Sequence, residues 1–391
     1  MKGQEEMKER EEVNGQGGKK VRMALAGLGS MGKQYAKMID GGEIPGMELS
    51  AVCVRRKESG DWGEDNLKHK VPVYIGMDEL FGHAEEFDAV LIVVPHKSHP
   101  EYVRRACEHG KHIFCDKPAG VSVTDARNMS RWAKEAGVLY AMMFHCRALP
   151  KYMELKKIID SGKLGKLLRI SQEASMYRTS FYHQSGSWRS SWNGEGGGLL
   201  INQGQHELDM WQWLFGMPQK LRASIAFGKY NDFMVDDEAA LELKYQDDVR
   251  ADIFMTTGEA CSGNRLTVVG TCGKVILEGT HMTVRTYDMD SREYGKTAQV
   301  TSGQQLNMTV TELDFPAENR AKQDMLSNFA QALLHGAPLI APGEAGENAL
   351  ELANGAYLSA LKDDWQQLPV DGEEYDYKLE ELMRQERASS L

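Results

Sequence analysis

The chain has 391 residues, 41% of them hydrophobic and 26% charged, enough for large buried cores and more than one domain ordinarily holds. Its net charge of −11 repels phosphate backbones and anionic lipid surfaces, so neither nucleic acid nor membrane is expected as a partner. No apolar run approaches a bilayer-spanning length, and Cys53, Cys107, Cys115, Cys146, Cys261 and Cys272 show neither C-x-x-C nor zinc-ligand spacing. Reduced thiols, no metal site and a cytoplasmic location are the expectation.

Residues 1–19 are charged and polar, without the apolar run of a secretory signal, and read as a flexible tail. From 20 to 146 short apolar runs alternate with helical stretches. Strands are predicted at 21–28, 47–54, 89–94, 112–115 and 138–144. Helices are predicted at 32–39, at 100–109 with proline first and Gly110 after it, and at 123–136 closed by Gly137. Apolar strands alternating with helices predict an α/β domain, a doubly wound parallel sheet covered on both faces. The grammar changes after Pro150. A helix at 151–161, a strand at 166–174 and a helix at 198–215 precede alternating strands from 220 to about 310. Helices at 319–335 and 343–361 close the pattern. Residues 147–391 are therefore expected to form an α+β domain around a large, mostly antiparallel open sheet. That domain would bind substrate and pair with another copy as a homodimer or homotetramer.

Gly27-Leu28-Gly29-Ser30-Met31-Gly32 is a G-x-G-x-x-G turn between the first strand and the first helix. Gly27 permits the tight turn, Gly29 lets backbone approach a pyrophosphate, and Gly32 lets helix and strand pack closely. The N–H groups from Ser30 and Met31 onward face the phosphates. The second strand ends at Arg55-Arg56 rather than at an acid. A carboxylate there would hold a ribose 2′-hydroxyl, whereas guanidinium favours a 2′-phosphate. The alternative is that both arginines are solvated surface charges, so the cofactor is read as NAD or NADP. Asp116-Lys117-Pro118 ends another predicted strand, on the sheet edge where ligands bind in open α/β folds.

With that glycine loop, the Asp-Lys-Pro turn resembles the Glu-Lys-Pro turn of the Gfo/Idh/MocA family of oxidoreductases. Four further segments carry the resemblance in order. Val94-Pro95-His96-Lys97-Ser98-His99 is similar to the family's Thr-Pro-x-x-x-His, with valine for threonine. Trp188-Arg189 and Gly196-Gly197-Gly198 follow, then His206-Glu207-Leu208-Asp209 as its His-x-x-Asp. The resemblance implies that Lys117 lies beside the nicotinamide and the reacting hydroxyl, that His206 is the general acid/base, and that Asp209 orients or anchors its helix. It also implies cofactor contacts from Pro95, His96, His99 and Asp116. Where the family has Asn-Arg-Arg near the nicotinamide, this chain reads His145-Cys146-Arg147. Inositol dehydrogenase-like members carry aspartate four residues before the histidine. Here that position is Asn202, expected one helical turn from His206, and an amide binds a sugar hydroxyl but takes no proton.

Tyr182, His183, Trp188 and Arg189 mix aromatic faces with hydrogen-bonding groups, as carbohydrate sites do. The alternative is a surface loop whose aromatics pack on the core. The implied activity is NAD(P)-dependent hydride transfer at a ring hydroxyl or ketone of a sugar, glycoside or cyclic polyol. Transient sugar oxidation assisting glycoside cleavage, and non-catalytic nucleotide and sugar sensing, are the other readings.

Overall fold

The protein was analysed as a computed structural model, which describes residues 18–261, 263–301, 306–317 and 320–389. The expected tail lies almost wholly outside the described residues, as does residue 319, the expected start of a late helix.

The first unit runs β1 (Val21–Ala26), α1 (Ser30–Asp40), β2 (Met47–Val54), α2 (Lys57–Asn66), β3 (Val73–Ile75), α3 (Met77–Gly82), β4 (Ala89–Ile92), α4 (His99–Glu108), β5 (His112–Cys115), α5 (Val123–Ala136) and β6 (Tyr140–Met142). Its six strands are all parallel, in the order β3-β2-β1-β4-β5-β6. Every residue of β4 and β6 is buried, because helices cover both faces and leave no room for alternation. The boundaries of α5 follow local chemistry. The Ser122 side chain accepts from the Asp125 N–H, with the Asp125 carboxylate returning to the cap backbone, and Gly137 ends the helix at φ 66°. Strand order reverses between β1 and β4, and the crevice beyond their carboxyl ends is the ligand position in such sheets.

The second unit begins with α6 (Pro150–Asp160) and continues through β7 (Leu167–Ser175), α7 (Ser180–His183), α8 (Gln205–Phe215), β8 (Lys220–Phe227), β9 (Asp236–Lys244) and β10 (Arg250–Thr256). Then come β11 (Arg265–Gly270), β12 (Gly273–Glu278), β13 (His281–Tyr287), α9 (Ser291–Thr297), β14 (Met308–Asp314), α10 (Ala321–His335), α11 (Glu344–Lys362), β15 (Gln366–Gln367) and α12 (Gly372–Ser389). Nine strands form one sheet in the order β14-β13-β12-β11-β7-β10-β9-β8-β15. Only β7 and β10 pair in parallel. In β9, Leu241 and Leu243 are buried while Ala240, Glu242 and Lys244 are exposed, so one face is packed and the other open.

Three expectations need correction. The strand expected at 89–94 stops at Ile92, because Val93 and Val94 pack their backbone against the Gly27 turn. The helix expected from 198 begins at Gln205. Residues 198–204 form turns because Asp236 accepts hydrogen bonds from the N–H groups of Gly198 (2.8 Å) and Leu200 (2.7 Å). Asn202 is therefore in a turn rather than on the helix of His206. The division at 146/147 is also incomplete, since the late helices return to the first sheet: Ala141 bridges Pro342, and Asn354 of α11 accepts from the Val123 N–H at 2.7 Å.

Candidate active site in the cleft beyond the parallel sheet

The glycine turn has the shape of a dinucleotide cradle. Gly27 has φ 105°, and a Cβ there would lie 2.6 Å from the Val93 carbonyl oxygen; a Cβ at Gly32 would overlap the Gly27 carbonyl. A Cβ at Gly29 would meet nothing within 4 Å, so open space stands above the loop. No side chain caps α1, whose first N–H groups, from Ser30 and Met31, remain available to an anion. Arg55 and Arg56 are exposed directly after β2. These residues fit a nicotinamide dinucleotide.

Lys117 follows two residues after the end of β5 and is joined to Pro118 by a cis bond. The Lys117 ammonium donates to both the carbonyl oxygen and Oδ1 of Asn202, each at 2.8 Å. Burial lowers its pKa, opposed by the charges of Asp116 and Glu195. Asp116 accepts from the Lys117 N–H through Oδ1, and burial raises its carboxyl. His206, second residue of α8, is held well below the ordinary imidazole range by burial, then by His145 and Lys117. The ring is thus neutral, and its Nδ1 has no hydrogen-bond partner among the described residues.

The remaining expected residues divide. Tyr182, Arg189 and Asn202 converge: the Tyr182 hydroxyl accepts from Arg189 (2.9 Å), Asn202 Nδ2 (3.1 Å) and Gln203 Nε2 (3.2 Å). Trp188 stacks edge-on to buried His96 at 5.3 Å, and the Arg189 guanidinium sits over both Trp188 and Tyr182. His183 pairs with Ser190 Oγ at 2.6 Å and packs on Phe233. Pro95 is exposed at the end of β4, within reach of the cleft. His99 is a correction: its ring is wedged between the Pro118 carbonyl, 2.7 Å from Nδ1, and the Val94 carbonyl, 2.8 Å from Nε2, so its one N–H is given to backbone. The fully buried Asp209 carboxylate accepts from Arg147 at 2.9 and 2.6 Å, with Gln212 adding a third bond, and so ties α8 in place.

Glu195 was not legible from the sequence. Only 2% exposed, its carboxylate accepts from Asn202 Nδ2 (2.5 Å) and the Ser190 N–H (2.6 Å), and burial pushes it up to about 7. A charged residue directly before three glycines was the one available signal. The spacing argument against a metal cluster also needs correction. His145, Cys146 and His206 bring donor atoms within 4.8 Å of one another, although no pair has zinc-ligand spacing in sequence. The field there opposes a dication: Lys117 and Lys322 both depress protonation of His145, held at about 4 chiefly by burial, and of His206. Burial also keeps the Cys146 thiol protonated.

Residues 21–144 match the family described as an oxidoreductase family with an NAD-binding Rossmann fold, and residues 152–276 match the GFO/IDH/MocA C-terminal domain. scyllo-Inositol 2-dehydrogenase (NAD(+)) of Bacillus subtilis is 27% identical over 276 residues, covering 68% of this chain and 76% of that protein. Trans-1,2-dihydrobenzene-1,2-diol dehydrogenase of Bos taurus is 25% identical over 257 residues, 66% of this chain and 74% of that one. Levoglucosan dehydrogenase, solved with NADH and levoglucosan, shares the fold at a TM-score of 0.76, covering 90% of this chain and all of the other at 17% identity. With matched segments in both units that together span more than half its length, the chain belongs to the Gfo/Idh/MocA family of NAD-binding oxidoreductases.

Proposed function

We propose that the protein is an NAD(P)-dependent dehydrogenase or ketoreductase acting on a ring hydroxyl or ketone of a sugar, glycoside or cyclic polyol. One observation carries the reading: Lys117 is half-buried at the sheet's ligand edge with its ammonium on Asn202, beside a neutral His206. The relatives' named substrates, an inositol and a dihydrodiol, are cyclic carbinols of the same kind.

The residues around the glycine turn, with Arg55, Arg56, Pro95, His96 and His145, would hold the cofactor, which supplies hydride acceptor chemistry when bound. Lys117 donates hydrogen bonds where the carbinol oxygen develops negative charge, and its partial desolvation strengthens them. His206 takes the hydroxyl proton in oxidation and returns it in reduction. Asn202, Tyr182 and Arg189 form a polar floor for neighbouring hydroxyls, while Trp188 and His183 border it. Screening sugars, glycosides and cyclic polyols with NAD and with NADP, following reduced-nicotinamide absorbance, tests the reading. No substrate-dependent change with any of them would end it.

The open face of the nine-stranded sheet supports a homodimer or a homotetramer. It holds a groove of about 840 Å³ that carries both signs of charge, with Arg222 opposite Glu242 and Arg250 two residues from Asp252, which a second copy could match. Light scattering at the monomer mass would remove that assembly. No helix of the described residues is long and apolar enough to cross a membrane. All six cysteines are free, which supports a cytoplasmic setting.

A further inference from the structure

The hydrogen-bond order around Asn202 is set from one side. Its amide lies between a cation and a carboxylate: Oδ1 accepts from the Lys117 ammonium at 2.8 Å, and Nδ2 donates to Glu195 Oε1 at 2.5 Å. An amide has one accepting end and one donating end, so an ionised Glu195 demands Nδ2 and leaves Oδ1 for Lys117. A protonated Glu195 keeps a carbonyl oxygen, but it loses the charge that grips Nδ2 and gains an O–H that competes for Oδ1. Oδ1 is then no longer reserved for the Lys117 ammonium, which is left with the Asn202 carbonyl oxygen to hold it.

We infer that Glu195 is the positioning residue of the site: as a carboxylate it locks the Asn202 amide so that Lys117 is held for reaction, and on protonation it releases that lock. This rests on the dehydrogenase reading. The reaction's balance is unchanged, since hydride leaves the carbinol carbon for the nicotinamide and the hydroxyl proton leaves for His206. Glu195 exchanges its proton with solvent only.

Other groups around the carboxylate fit this role. Arg189 lies 3.8 Å from Oε1, the Ser190 N–H holds Oε2, and Tyr182 reaches it through Asn202. His96 approaches the Glu195 carbonyl at 3.4 Å, and His183 touches Ser190. Burial raises Glu195 to about 7 against the opposing pull of Arg189 and Lys117, whereas His145 is held at about 4 and His96 and His206 well below the ordinary imidazole range. Glu195 is thus a carboxyl that titrates near neutrality, and the active form is the one above that midpoint. It brings a carboxylate to Asn202 from the loop before the glycine run.

The test is the pH dependence of kcat/KM for the full chain, wild type against Glu195→Gln and Glu195→Ala, at saturating cofactor. Wild type is expected to lose about tenfold per pH unit below a midpoint near 7. Glu195→Gln is the neutral isostere of the protonated acid and does not titrate, so its acid limb should flatten while kcat at pH 8 falls by about tenfold. Glu195→Ala should lower kcat about tenfold or more with the cofactor KM within twofold. An acid limb in Glu195→Gln identical to wild type, or a Glu195→Ala variant matching wild type at every pH, would overturn the inference. A titration by carboxyl ¹³C NMR on glutamate-labelled wild type, assigned by the resonance missing in Glu195→Gln, reads the same group without turnover. A midpoint near 7 supports the assignment and one near 4 overturns it. If no sugar is oxidised but that midpoint holds, the substrate reading has failed while the carboxylate's environment has not.

Discussion

The clearest quantitative consequence of the structure concerns Asp209. The Arg147–Asp209 pair is bidentate, 6% and 0% exposed, and the same guanidinium donates to the Ile340 carbonyl at 3.1 Å. Arg147→Met keeps an apolar stem, gives up the guanidinium's place over Phe144 and Trp213, and strands a buried carboxylate with Gln212 as its remaining partner. Breaking such a pair costs roughly 3–5 kcal/mol, because the uncompensated charge stays desolvated. At a urea dependence of roughly 3 kcal/mol per molar for a chain this long, the midpoint should drop by about 1–1.7 M. Removing the second charge too, in Arg147→Met with Asp209→Leu, should recover at least half of that loss, since apolar groups of similar volume replace a buried pair at little cost. Tryptophan fluorescence against urea reads both. A single variant within about 1 kcal/mol of wild type, or a double variant no better than the single, would refute the account. Activity adds a second arm. If Asp209 only anchors α8, the double variant keeps kcat within about tenfold per folded molecule; restored stability with a kcat loss of 10²-fold or more would return Asp209 to the reacting group.

Lys117→Ala should cut kcat by about 10²–10⁴-fold while reduced cofactor still binds by fluorescence titration, and loss of binding instead would make Lys117 a cofactor clamp. Gly32→Ala should abolish cofactor binding, because its methyl overlaps the Gly27 carbonyl and the loop has to move; unchanged binding would show that the cradle is elsewhere. Replacing exposed Arg55 and Arg56 with alanine should raise the KM for NADP about tenfold and leave that for NAD within twofold, and equal effects on both would place them outside the 2′-phosphate site. Prolonged dialysis against EDTA should leave turnover within error, since the field of Lys117 and Lys322 disfavours a dication at His145, Cys146 and His206.

What the sequence disclosed was whatever local pattern alone determines. The six-stranded sheet was legible because its longer strands are unbroken apolar runs and G-x-G-x-x-G has one stereochemical use between strand and helix. The three-residue β3 was not, since Val73–Ile75 is too short to show a period. The site was read wherever a motif names its residue, as with Lys117 and His206. It was misread wherever a residue's partner is remote. His99 is spent on the carbonyls of Val94 and Pro118, and only the fold puts Pro118 beside it. His145 and Cys146 meet His206 across sixty residues, so a test based on ligand spacing could not find them. The partner of Asp209, Arg147, stands 62 residues away in the chain, so the ion pair that fixes α8 leaves no local pattern.

The two units also interlock more than a linear division implies, and that bears on where specificity resides. On α11, Glu351 receives Arg127 of α5, Asn354 caps the Val123 N–H, Tyr357 donates to Asp236 at 2.5 Å, and Ser359 accepts from Ala223 of β8. Asp236 in turn fixes the N–H groups of Gly198 and Leu200, in the turns that carry Asn202. One helix thus ties the first sheet, the second sheet and the glycine run into a single framework around Lys117. A hinge at residue 147 would have to break the Arg127–Glu351 and Val123–Asn354 contacts, so the reacting groups are held by a rigid support. In the loop over residues 176–191 the side chains of Phe181 and Tyr177 are 81% and 44% exposed, whereas Tyr182 and Arg189 are bonded to one another and, through Tyr182, to Asn202. Freedom to accept different ring substituents therefore lies with the exposed side chains of that loop, over a floor of Tyr182, Arg189 and Asn202 that cannot move without disturbing Lys117.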